Sequence, residues 1–161
     1  MIRTRRLQKE VAQVRKLWAV LHYDWAIANV DELCKECPCN SQLLVMWACL
    51  AQLQDDPGSS LNEVKRSLQQ AIEFDSKSVD ALLEMGNLLD SVDDSPSVAA
   101  KMFADAADLA RRQLVDALVG SAKSLLQINP HSEAIDFLIE ALQFRSRPSC
   151  CSMDDRTGKF P

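Results

Sequence analysis

One pattern recurs along this chain at a fixed interval, and it restricts the fold more than any other feature. Val64-x3-Leu68-x2-Ala71 returns as Ala99-x3-Phe103-x2-Ala106 and again as Ala134-x3-Leu138-x2-Ala141. The copies start 35 residues apart, at 64, 99 and 134. A fainter copy, Ala26, Val30 and Leu33, starts 38 residues before Val64, and the surplus falls in the loop Asp55-Asp56-Pro57-Gly58-Ser59-Ser60. Steps of four and three residues put each trio on one face of a helix. A register held at such an interval marks a repeat architecture, in which each unit buries its apolar face against its neighbours.

A second motif precedes most of these copies. It reads Leu44-x2-Trp47-Ala48-x2-Ala51, Leu82-x2-Met85-Gly86-x2-Leu89 and Leu118-x2-Ser121-Ala122-x2-Leu125. Large residues at i, i+3 and i+7 form a helical stripe, and the small residue after the middle one leaves room for a paired helix. Composition agrees. The chain has four Gly and six Pro in 161 residues, and its Ala, Leu, Gln and Lys favour helix over strand. Ser60-Leu61-Asn62-Glu63 is a capping box, and Ser95-Pro96 and Asn129-Pro130 each place a cap before a helix-initiating proline. These signals predict eight helices, near 5–20, 23–36, 41–54, 60–74, 78–91, 96–110, 114–127 and 131–144. Residues 1–144 then form one helical repeat domain. Residues 145–161 show no period and read as a flexible tail.

The two motifs together resemble the tetratricopeptide repeat, whose first helix carries W-x2-L-G-x2-Y and whose second carries A-x3-F-x2-A, often closed by Pro. Leu82, Met85, Gly86 and Leu89 with Ala99, Phe103 and Ala106 form the fullest copy. The likeness spans roughly residues 7–144. It departs from the pattern in the first helix, where Val14 and Arg15 replace the small slot, at Ser121, and after Ala71 and Ala106, where the closing Pro is absent. The resemblance implies an all-α fold: a right-handed superhelix, or α-solenoid, of antiparallel helix hairpins with about four repeats. It also implies a protein-binding scaffold whose concave groove is lined by the first helix of each pair.

Groove positions lie beside the core stripe. They are Val45 and Cys49, Leu83 and Asn87, and Val119 and Lys123, with Val11 and Arg15 from the first repeat. Some members of that family clamp acidic chaperone tails with Lys and Asn at these slots. Val45, Leu83 and Val119 carry no charge, so the expected ligand is instead an amphipathic helix or an extended apolar segment of a protein or peptide partner. The plainer alternative is that these residues complete the core or are covered by the chain's own terminal segment. No capping helix follows position 144, so Ile135, Leu138, Ile139 and Leu142 should remain uncovered, a surface suited to a homodimer.

Charge and chemistry narrow the remaining classes. Residues 1–20 hold six basic side chains and one acid, a balance of +5, whereas the other 141 hold 12 basic and 22 acidic, a balance of −10. An acidic body repels phosphate, so the basic first helix is read as a solvated face, with neither nucleic acid nor membrane as partner. No apolar run is long enough for a bilayer and no signal-type stretch opens the chain, so a cytoplasmic location is expected. Cys34-x2-Cys37-Pro38-Cys39 is half of a zinc element, but Cys49 on the next helix does not complete it and no His lies near; the tail pair Cys150-Cys151 is read as exposed and oxidisable. The structural reading is preferred for the Cys34, Cys37 and Cys39 cluster over a metal or redox regulator. His22 and His131 stand at helix starts in different repeats, there is no Gly-rich phosphate loop, and Asp90-Ser91-Val92-Asp93-Asp94 lacks the rest of a calcium loop. No catalytic residue, metal or cofactor is expected. The reading is an adaptor, with a small dedicated chaperone for one client as the alternative.

Overall fold

The computed structural model describes residues 2–20, 22–54, 60–128 and 131–146. Seven helices and no strand occur among them: α1 (Ile2–Ala19), α2 (Tyr23–Glu36), α3 (Ser41–Ala51), α4 (Leu61–Phe74), α5 (Val79–Ser91), α6 (Pro96–Ile128) and α7 (His131–Arg145). The described residues pack as two compact units, divided after Ala99. The tail beyond position 146 lies outside the described residues.

Local chemistry explains the helix limits in the first unit. The Asn40 side chain accepts a hydrogen bond from the Leu43 N–H and starts α3. Ser60 and Glu63 form the expected reciprocal capping box at α4. Ser78 accepts from the Ala81 N–H at α5. Each cap satisfies a backbone donor that would otherwise be orphaned. Asp94 takes a left-handed conformation, φ 45°, before Pro96 opens α6. Asp tolerates that region through its short polar side chain.

Packing in this unit follows an alternating order. α1 lies on α2, α2 on α3, α3 on α4 and α4 on α5, while α3 also meets α5. The repeat trios form the seams. Ala26, Val30 and Leu33 in α2 and Val64, Leu68 and Ala71 in α4 are all buried, as is Ala99 at the start of α6. The small slots Ala48 and Gly86 are buried too. Burying each large side chain contributes about 1.5–3 kcal/mol. A buried Ser67 donates its hydroxyl to the Leu44 carbonyl at 3.1 Å, tying α4 to α3. Arg6 bridges Glu10 at 2.7 Å and Glu36 at 3.5 Å, so part of the basic first helix is spent on the chain's own acids.

The α3 stripe is displaced by one residue from the expected one. Leu43, Met46 and Leu50 are buried to 6% exposure or less, whereas Leu44 and Trp47 are half-buried. The Trp47 indole reaches the surface and donates to Asp31 at 2.6 Å. α3 carries no charged residue, so its sequence has no polar side to mark the outward face. Trp25 is 71% exposed, whereas Trp18 is half-buried against the core.

The second unit holds the largest departure. The predicted helices 96–110 and 114–127 are one helix, α6, of 33 residues and about 50 Å. The expected turn falls on Arg111-Arg112-Gln113, all good helix formers, with no Gly, Pro or Asn to stop the helix. An Arg111–Asp108 ion pair of 3.1 Å, half-buried and one turn apart, spans the same stretch. The motif residues are still buried: Ala106, Leu118 and Ala122 in α6, and Ala134 and Ala141 in α7. Arg145 at the end of α7 shares a cleft with residues between Asp108 and Val119 of α6.

Candidate groove across the first helices

Three helices that open successive hairpins, α1, α3 and α5, surround one cleft of about 340 Å³. Arg15 and Trp18 come from α1, and Ser41, Gln42, Val45, Met46 and Cys49 from α3. Asp75 and Ser78 come from the α4–α5 turn, and Asp80, Leu83 and Glu84 from α5. A second cleft of about 330 Å³ adjoins it, lined by Leu7, Gln8, Val11, Ala12, Arg15 and Gln42. Both clefts share Arg15 and Gln42, so they form one groove along α1 and α3.

The structure therefore brings together Val45, Cys49 and Leu83, with Val11 and Arg15 beside them. Val45 is nearly closed over, at 7% exposure, and contributes floor; Leu83 stands out at 38% and contributes a rim. Asn87 is exposed on α5 one turn beyond Leu83, outside the cleft lining. Val119 and Lys123 belong to the second unit. Val119 is half-buried and lines the other cleft with Asp108, Arg111, Arg112, Val115 and Asp116, and Lys123 is exposed on the same helix.

Six polar lining residues, Ser41, Gln42, Asp75, Ser78, Asp80 and Glu84, were not among the expected groove positions. The signal for two of them was present. Asp80, Leu83, Glu84 and Asn87 follow one another at i+3, i+4 and i+7, so extending the Leu83 row one turn back reaches Asp80. Trp18 stands three residues after Arg15 in the same way.

Cys49 sits between the apolar floor and this acidic wall. Burial raises its thiol to about 12, and the nearby Glu84 carboxylate, which accepts the thiol hydrogen bond, and Asp80 push the same way. Burial likewise raises Cys34 to about 11, with Asp31 and Cys37 adding to it. Both stay protonated at neutral pH, and the thiolate is the nucleophile and the metal ligand. They behave as small apolar fillers. Cys37 caps α2 through its backbone N–H to the Leu33 carbonyl, and Cys39 is exposed. Among the described residues no three His, Cys, Asp or Glu side chains converge as a metal site. His22 is at the α2 N-cap and makes no side-chain capping bond, while α7 starts at His131.

On α7, Ile135, Leu138, Ile139 and Leu142 are exposed by 54%, 38%, 49% and 63%. Ala134 and Ala141 take the buried face, so the apolar stripe at i, i+3, i+4 and i+7 faces outward. No described helix is long and apolar enough to cross a membrane.

No family model matches the sequence, and no curated protein matches it either. Two crystal structures of MamA resemble the fold. One is 13% identical, covers 86% of this chain and 77% of its own, and superimposes with a TM-score of 0.55. The other is 12% identical, with coverage of 96% and 79% and a TM-score of 0.55. At that identity the likeness shows the fold: an all-α, tetratricopeptide-like helical array.

Proposed function

We propose that this chain is a non-catalytic tetratricopeptide-type adaptor that holds a helical or extended apolar segment of another protein in the groove across α1, α3 and α5. The observation that carries the reading is the cleft itself. Three hairpin-opening helices present Val45, Leu83, Trp18 and Cys49 to one concave space of about 340 Å³. That size and apolar floor suit anchoring side chains of a peptide. The helical-array likeness to MamA supports a scaffold architecture. Burial raises the Cys34 and Cys49 thiols, which disfavours a redox role for those two. A cytoplasmic setting fits the same reading.

Affinity purification from the source cell, read by mass spectrometry, tests it. Leu83→Glu should reduce recovery of a stoichiometric partner by about tenfold or more, since it puts a charge where an apolar anchor must be desolvated. The exposed control Leu61→Glu should leave recovery unchanged. Equal recovery with a folded Leu83→Glu protein would sink the groove assignment.

The outward stripe on α7 supports a second, compatible contact. Ile135, Leu138, Ile139 and Leu142 form a face that pairs with a second copy of the chain, giving a homodimer. Sedimentation velocity at high micromolar concentration should show dimer that Leu138→Glu with Leu142→Glu abolishes. A strict monomer for the native chain refutes the contact.

A further inference from the structure

We propose that the α1–α3–α5 cleft selects a basic partner segment, in which Lys or Arg stands next to an apolar anchor. This rests on the reading of the cleft as a docking site and specifies its partner. The walls are electrically unequal. Asp75, Asp80 and Glu84 line the α5 side, and Arg15 is the single basic residue lining the cleft, on the α1 side. The cleft therefore carries three negative charges against one positive.

The acids are available for a ligand. Among the described residues, neither Asp80 nor Glu84 is ion-paired with a Lys or Arg, and Arg15 is not ion-paired either. Asp75 accepts a bond from the Lys77 backbone N–H at 3.0 Å and stands exposed at the rim. Glu84 is half-buried and reaches the floor, where it accepts the Cys49 thiol hydrogen bond. Concave low-dielectric walls of one sign concentrate the field and attract the opposite charge. An apolar side chain over Val45, Leu83 and Trp18 then places a neighbouring cation within reach of Asp80 and Glu84. Arg15, on the far wall, is left to meet backbone carbonyls or an acidic residue one turn away. An acidic tail would meet the larger charge of its own sign.

The experiment is selection of a random-peptide display library on the intact folded chain. Affinities are then measured for synthetic winners and for counterparts with Glu in place of each Lys and Arg. Winners should carry Lys or Arg beside Leu, Ile or Phe. They should bind about tenfold more tightly than their acidic counterparts. Asp80→Asn with Glu84→Gln, which retains an acceptor for the Cys49 thiol, should shrink that preference to about twofold with circular dichroism unchanged. Winners without charge bias that Leu83→Glu still releases would keep the docking cleft and overturn the charge selectivity, as would acidic winners. A selection yielding no peptide whose binding depends on Leu83 would overturn the docking reading and this inference together.

Discussion

A proline at position 112 is expected to destabilise the second unit by about 3 kcal/mol or more, because Arg112 lies inside a continuous helix. The ring removes the N–H that bonds the Asp108 carbonyl four residues back and collides with that same carbonyl. Arg112 itself is exposed, so Arg112→Ala should be near neutral and isolates the backbone effect. The measurement is thermal unfolding followed by far-ultraviolet circular dichroism, with hydrogen exchange to assign the loss to residues near 108–116. The repeat pattern makes the opposite forecast. With a turn at Arg111-Arg112-Gln113, proline would sit at a helix boundary and cost little. A change under about 0.5 kcal/mol would show that α6 is two helices in solution.

Leu68→Ala is expected to cost about 2–5 kcal/mol, from lost transfer energy and the cavity left behind. Leu68 is 0% exposed in α4, one residue beyond Ser67, whose hydroxyl ties α4 to α3. For a unit of about 100 residues that lowers the thermal midpoint by roughly 10 °C or more. Leu138 is the sharp comparison, because it fills the same slot of the repeat in α7 and is 38% exposed. Leu138→Ala should cost under about 1 kcal/mol in the monomer. Chemical denaturation of both variants, with unchanged dependence on denaturant, separates the two. Equal losses would mean that sequence register alone, rather than burial, decides what each slot contributes.

The groove shows how the same sequence is read at two depths. Val45, Cys49 and Leu83 are adjacent to the core stripe by helical spacing alone, and they do share a cleft. Asp80 and Glu84 follow the Leu83 row along α5, but spacing within one helix neither brings in Asp75 nor sets these acids opposite Val45. Asp75 belongs to a turn and Asp80 to α5, and only the packing of α3 on α5 sets them opposite Val45. Asn87 follows Leu83 by one turn and still falls outside the lining, because a cleft ends where its neighbouring helix ends.

Tandem helical hairpins were legible in the sequence because a repeat states the same demand several times. Ala71, Ala99, Ala106, Ala134 and Ala141 are all buried where the 35-residue register puts them, since a close helix crossing admits little else. The cap at Ser60 is equally local, settled within four residues. The structure decided three matters that the repeat register left open or misplaced. It chose the inward face of α3, a helix without charges and surrounded by α2, α4 and α5, for which sequence offers no polar side. It ran α6 unbroken through Arg111-Arg112-Gln113, because a turn needs a residue that prefers to leave the helix and none stands there. It also set one arginine against three carboxylates across the groove. A repeat register specifies which residues are buried; how charges from different hairpins face one another depends on where the helices pack.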